Sequence, residues 1–205
     1  MISAAIAAVA FGAASAALGG FLWRLLRLPV RRGESALSAI ALGVGAMSLA
    51  LFVAGLFGAL YGTVIWAVFV TPVVIFNGRL RTAASEILGI AKRAFRADGV
   101  FNRILLFVIL SVLALDLVSS LAPPTESDAM TVHILAPREY ARTHRMINLP
   151  DNWDSAMAMG PHLAYAAVML SSGGDIAPAV LHFALGCLFI LWVWQFVRRR
   201  FGKSA

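Results

Sequence analysis

The sequence predicts an all-α, polytopic membrane protein of about five transmembrane helices, with one extracytoplasmic loop that contains surface helices. Three observations carry that prediction. The chain is 60% hydrophobic and only 13% charged, with a mean hydropathy of +0.85, whereas soluble domains carry about 25% charged residues. Several apolar runs approach or exceed the ~20 residues needed to cross a hydrocarbon core. The charges are also sorted: residues 123–175 hold six acidic and three basic side chains, and the other fourteen Lys and Arg flank the apolar runs elsewhere. A β-barrel would need short alternating strands, which these unbroken runs do not provide.

The net charge of +7 does not call for a nucleic acid. Basic residues placed beside apolar runs are what the positive-inside bias and anionic headgroups produce, so the partner they imply is the lipid bilayer. The single cysteine, Cys187, excludes an intrachain disulfide and belongs to no metal motif.

In chain order, Ile2 to Trp23 is an apolar stretch rich in Ala and Gly, followed by Arg24, Arg27, Arg31 and Arg32. A secretory signal begins with positive charge, so this reads as an uncleaved first span with its N-terminus outside and the arginines in the cytoplasm. Ala36 to Phe76 is about twice one span long and reads as a hairpin, Ala36 to Leu56 and Leu60 to Phe76. Gly55, Gly58 and Gly62 mark its turn, and a kink is expected at Pro72. Gly78 to Arg103 is basic, with Ile87, Leu88, Ala91 and Phe95 at helical spacing. It reads either as an amphipathic helix on the cytoplasmic membrane surface or as a solvated connector.

Ile104 to Leu121 is the fourth span, and it carries one carboxylate, Asp116. An intramembrane charge is costly; Asp116 either serves a site or snorkels to the interface. Pro123 to Asp175 is then the extracytoplasmic loop. Ala129 to Arg145 reads as helical with a break near Pro137, and Asn148 to Asp154 as a turn region. Ser155 to Ser172 reads as a helix lying along the outer surface. Ile176 to Val197 is the fifth span, with Trp192 and Trp194 at its inner end and Arg198 to Arg200 in the cytoplasm. The chain thus divides into a three-span region with its amphipathic segment, residues 1–103, and a helix–loop–helix module, residues 104–205.

Four of the ten acidic residues lie between Glu126 and Asp151, and three of the four histidines between His133 and His162. Asp128 stands a few residues beyond the membrane exit, where a carboxylate is placed to act as general base on an attacking hydroxyl. Ser127-Asp128 ahead of a helical stretch is equally a good N-cap. His133 and Arg138 follow on the same segment, and a guanidinium matches phosphate geometry; plain solvation is the alternative for Arg138. The set Glu126, Asp128 and His133 fits no zinc signature, and no metal or other cofactor is implied. No P-loop, nucleophile elbow or dinucleotide fingerprint is present.

The run Pro123-Pro124, Asp128-Ala129, His133, Pro137-Arg138 and Tyr140 resembles the first extracytoplasmic loop of GT-C-fold membrane glycosyltransferases. The likeness is to the bacterial family-39-like group of protein mannosyltransferases and aminoarabinose transferases. It continues through Asn152, Gly160-Pro161-His162-Leu163-Ala164-Tyr165, Gly173-Gly174-Asp175 and Ala179-Val180-Leu181-His182, covering roughly residues 104–194. The resemblance implies sugar transfer with inversion from a polyprenyl-phosphate carrier to an extracytoplasmic acceptor, in the bacterial cytoplasmic membrane. It implies Asp128 as the catalytic base and His133 and Arg138 as carrier-phosphate ligands, with Glu126, Tyr140 and His162 as further substrate contacts. Relatives often have a second acid where this chain has Ala129, and an aromatic residue where it has Val132. They also continue through more spans, so the expectation is an N-terminal portion or one half of a split enzyme, completed by a second membrane chain. Two other readings stand beside it: a non-catalytic membrane subunit packing on a partner complex, and a small transporter component using Asp116.

Overall fold

The computed structural model describes residues 1–29, 35–96, 99–125, 133–150 and 160–202. Among these, the regular structure is entirely helical: α1 (Ile2–Leu25), α2 (Ser35–Leu56), α3 (Gly62–Ile75), α4 (Asn77–Ala94), α5 (Val100–Ser120), α6 (Leu135–Thr143), α7 (Gly160–Ser172) and α8 (Ala177–Phe201). Four helices, α1, α2, α5 and α8, are long and apolar enough to cross a membrane, and the number is five if the bent pair α3–α4 is counted as one span. The chain is a polytopic α-helical membrane protein.

The bundle is built around α1, which packs against α2, α3, α4, α7 and α8. Small residues make this possible. A Cβ at Gly19 would strike the Ala39 carbonyl, and one at Gly43 the Ser15 carbonyl, so α1 and α2 cross antiparallel with their backbones nearly touching. Phe11 meets the edge of Phe69, and Phe21 stacks on Phe76 at 4.3 Å, which sets α3 parallel to α1. The bundle therefore has a near end, where α1 begins, and a far end, where α1 finishes.

The α2–α3 hairpin turns where the glycines predict, with Gly58 at φ +67°, a conformation that disfavours any side chain. The sharp bend falls elsewhere than expected. The chain turns by 83° at Phe76, four residues past Pro72, which remains inside α3. The 14 residues of α3 rise only about 21 Å, and α4 then runs across the far end of the bundle. Its Ala83 is buried against Ala16, Ala36 and Ile40, with Leu80 and Ile87 half-buried beside them.

At the near end, Pro137 sits in the first turn of α6 and does not break it; an N–H there has no intrahelical partner to lose. Residues 129–132, the start of the predicted helix, lie outside the described residues. The helix α7 departs from its predicted place along the outer surface. Seven of its thirteen residues are buried, and it packs into the bundle against α1, α2, α3, α6 and α8. Ala164, Ala166 and Ala167 let it seat closely, and Leu163 reaches Gly55 of α2. Gly173, at φ +72°, closes α7 by donating to the Met169 carbonyl at 2.8 Å. One core joins residues from both predicted regions, from Ala4, Phe11 and Met47 to Tyr140, Val168 and Leu181. The division at residue 103 is not a division of the packing.

Candidate functional site

The segment after α6 is fixed to the α2–α3 turn by backbone bonds. Leu60 N–H donates to the His144 carbonyl at 3.0 Å, and Met146 N–H to the Gly55 carbonyl at 3.0 Å. His144 ends α6 in the left-handed conformation, at φ 56°. Its Nδ1 donates to the Leu60 carbonyl at 2.9 Å, and its ring stacks on Tyr61 at 4.2 Å. These contacts hold α6 over the near end and place the turn that precedes it, at His133, above α7.

A row of rings results. His133 stacks on His162 of α7 with centroids 5.6 Å apart, and His162 meets Tyr165 edge-on at 6.4 Å. Tyr165 in turn holds His182 of α8 through a 2.8 Å bond between Oη and Nδ1. Three separated segments thus contribute to one array. His162, in the middle, is 6% exposed, while His133 and His182 are exposed at the two ends. The positions 162 and 165 are one helical turn apart, which puts both side chains on one face of α7. Burial raises the Tyr165 hydroxyl above its usual pKa, so it stays a neutral hydrogen-bonding group beside His182. The array offers imidazole donors and acceptors suited to binding an anion or passing a proton.

The other expected site residues are distributed differently. Arg138, on α6, is held by Asp175 in the α7–α8 turn, Nη2 to Oδ2 at 2.5 Å. Its charge is thereby shared with a carboxylate. Tyr140 points into the core with 1% exposure. Burial raises its pKa as well, and its side chain packs within the main core. Arg142 clamps Glu139 through Nε at 2.9 Å and Nη2 at 2.7 Å on the exposed side of α6. Asp128 and Glu126 lie outside the described residues, in the segment that ends directly before His133. Asp116 is exposed on α5, away from the interior of the bundle. Among the described residues no three His, Cys, Asp or Glu side chains come together as a metal site would require.

Two members of the row, Tyr165 and His182, were legible in sequence only as parts of the GT-C-like pattern. Their pairing needs the α7–α8 packing. His144 had no sequence signal at all. Compared with models of protein families, with curated proteins and with solved structures, the chain matches none.

Proposed function

We propose that the chain is a membrane glycosyltransferase, or part of one, that transfers a sugar from a polyprenyl-phosphate carrier to an acceptor hydroxyl. Asp128 takes the acceptor's proton as its oxygen attacks the anomeric carbon from the face opposite the carrier phosphate, which leaves. The observation that supports this is the row from His133 through His162 and Tyr165 to His182. It gathers polar rings at the near end of the bundle, starting at the residue that follows the Asp128 segment. The exposed imidazoles of His133 and His182 are the groups open to the carrier phosphate, and Arg138 contributes while paired with Asp175. The near end is extracytoplasmic in this reading and the far end, with Arg24, Arg81 and Arg198 to Arg200, cytoplasmic.

A second reading, a membrane subunit packing on further helices, draws on α5. That helix packs chiefly on α8 and keeps its apolar side chains exposed along its length. The test is transfer from a labelled polyprenyl-phosphate sugar by membranes containing the native gene product and any co-expressed membrane partner. Asp128→Asn is expected to lower transfer by about 10²-fold or more at equal membrane insertion, with Asp116→Asn silent. Undiminished transfer by the Asp128 variant would remove this residue as the base. Silence at 128 combined with loss at Asp116→Asn would favour transport instead.

A further inference from the structure

We propose that α4 is a binding platform for anionic phospholipid, lying in the headgroup layer at the far end of the bundle. The geometry comes first. Because the chain turns by 83° at Phe76, α4 runs across the ends of the spans. A helix so placed at the end of membrane-crossing helices lies in the plane of the interface.

The faces of α4 fit that position. Its inner side, Ala83 and Ile90, is buried against the bundle. Its outer side leaves Leu88 60% and Phe95 56% exposed, seven residues apart and hence on one face. Four exposed cations flank them: Arg81, Lys92, Arg93 and Arg96. In water alone this arrangement leaves two large apolar side chains uncovered. In the headgroup layer both kinds of group are satisfied, the apolar ones by acyl chains and the cations by phosphates.

Charge selects the kind of lipid. The only acidic residue within α4 is Glu86, and α8 brings Arg198, Arg199 and Arg200 to the same end. The two helices are in contact, with Leu188 of α8 packed on the cluster that holds Ala83. A zwitterionic headgroup brings no net charge to Arg81, Lys92, Arg93 and Arg96, whereas an anionic one neutralises them, with each basic side chain worth about a fivefold gain in association. Trp194, with the Arg198 guanidinium 5.1 Å from its ring centroid, marks the interface level on α8.

The experiment uses the full chain in bilayers of mixed phosphatidylglycerol and phosphatidylcholine. A depth-sensitive fluorophore is attached at Leu88→Cys in a Cys187→Ser background, and the lipids retained on purification are counted by mass spectrometry. The expected result is quenching of the probe by shallow nitroxide lipids, with phosphatidylglycerol enriched over its bulk fraction. The variant Arg81→Gln/Lys92→Gln/Arg93→Gln/Arg96→Gln should lose that enrichment by about tenfold or more, and a Lys-for-Arg set at positions 81, 93 and 96 should keep it. Added inorganic phosphate should not compete, and raised salt should weaken retention. Equal retention by wild type and the Gln variant, or a probe at position 88 reached only by aqueous quenchers, would overturn the proposal. The Lys-for-Arg set separates lost charge from lost folding.

Discussion

Leu60 and His144 are joined twice, by the Leu60 N–H to the His144 carbonyl at 3.0 Å and by His144 Nδ1 to the Leu60 carbonyl at 2.9 Å. The pair ties the end of α6 to the α2–α3 turn across 84 residues of chain. His144→Ala removes the side-chain bond and the stack on Tyr61, and leaves a left-handed residue without the side chain that stabilises it. The expected loss is about 1–2 kcal/mol, with His144→Asn milder because Asn tolerates that conformation. Thermal unfolding in detergent, read beside proteolysis of residues 145–150, checks this; an unchanged midpoint in the Ala variant would refute it.

The crossing of α1 and α2 yields a second prediction. A methyl at Gly43 meets the Ser15 carbonyl, and one at Gly19 meets the Ala39 carbonyl and the Gly43 N–H. Both neighbours are backbone, which cannot swing away. Each Gly→Ala substitution should destabilise by about 1–3 kcal/mol through overpacking, whereas Gly12→Ala and Gly45→Ala, with open space around the added carbon, should be neutral or slightly stabilising. Melting curves of the four single variants discriminate between position and residue type.

Arg138 and Asp175 form a short contact with side chains 41% and 45% exposed. Solvent at that exposure screens the pair, so a double-mutant cycle with Arg138→Gln and Asp175→Asn should give a coupling of about 1 kcal/mol or less, falling with salt. A coupling of several kcal/mol, insensitive to salt, would mean that the pair is enclosed when the protein is in its membrane.

Alkaline pH supplies a fourth prediction. Burial raises the Tyr140 pKa above the ordinary value of 10.0, so the folded state holds its proton more tightly than the unfolded chain. The contribution of this group is complete below the unfolded value and is lost as pH rises from there through the raised folded value. Tyr140→Phe should therefore flatten part of the stability decline above pH ~10, while Tyr140→Ala should cost about 3–5 kcal/mol at neutral pH by emptying a core position. Denaturation followed against pH for both variants separates ionisation from packing.

Much of the fold was legible because apolar length and charge placement act locally. The runs at Ile2 to Trp23, Ile104 to Leu121 and Ile176 to Val197 fall on α1, α5 and α8, and the period of Ile87, Ala91 and Phe95 falls on α4 and its C-terminal turn. What failed to show was set by neighbours. The composition of α7 is middling because its burial comes from alanines fitted against α1 and α2, and no single window displays that fit. Proline is a visible breaker and points to a kink at Pro72, yet the chain turns at Phe76, whose ring is seated on Phe21. In the candidate site, His133 and His162 stand out in the sequence one by one, whereas their stacking, the burial of Tyr140 and the Arg138–Asp175 pair depend on packing between separate helices.

The central place of α1 has a consequence for how the molecule is made. Ribosomes deliver α1 long before α7 and α8, and at ordinary translation speed the gap between Leu25 and Ala177 is on the order of ten seconds. Until they arrive, the side of α1 destined for α7 and α8 lacks those two partners. Helix α1 is thus made before every helix that covers it, and a nascent chain halted before residue 160 would leave it half-clothed and open to whichever helix drifts by.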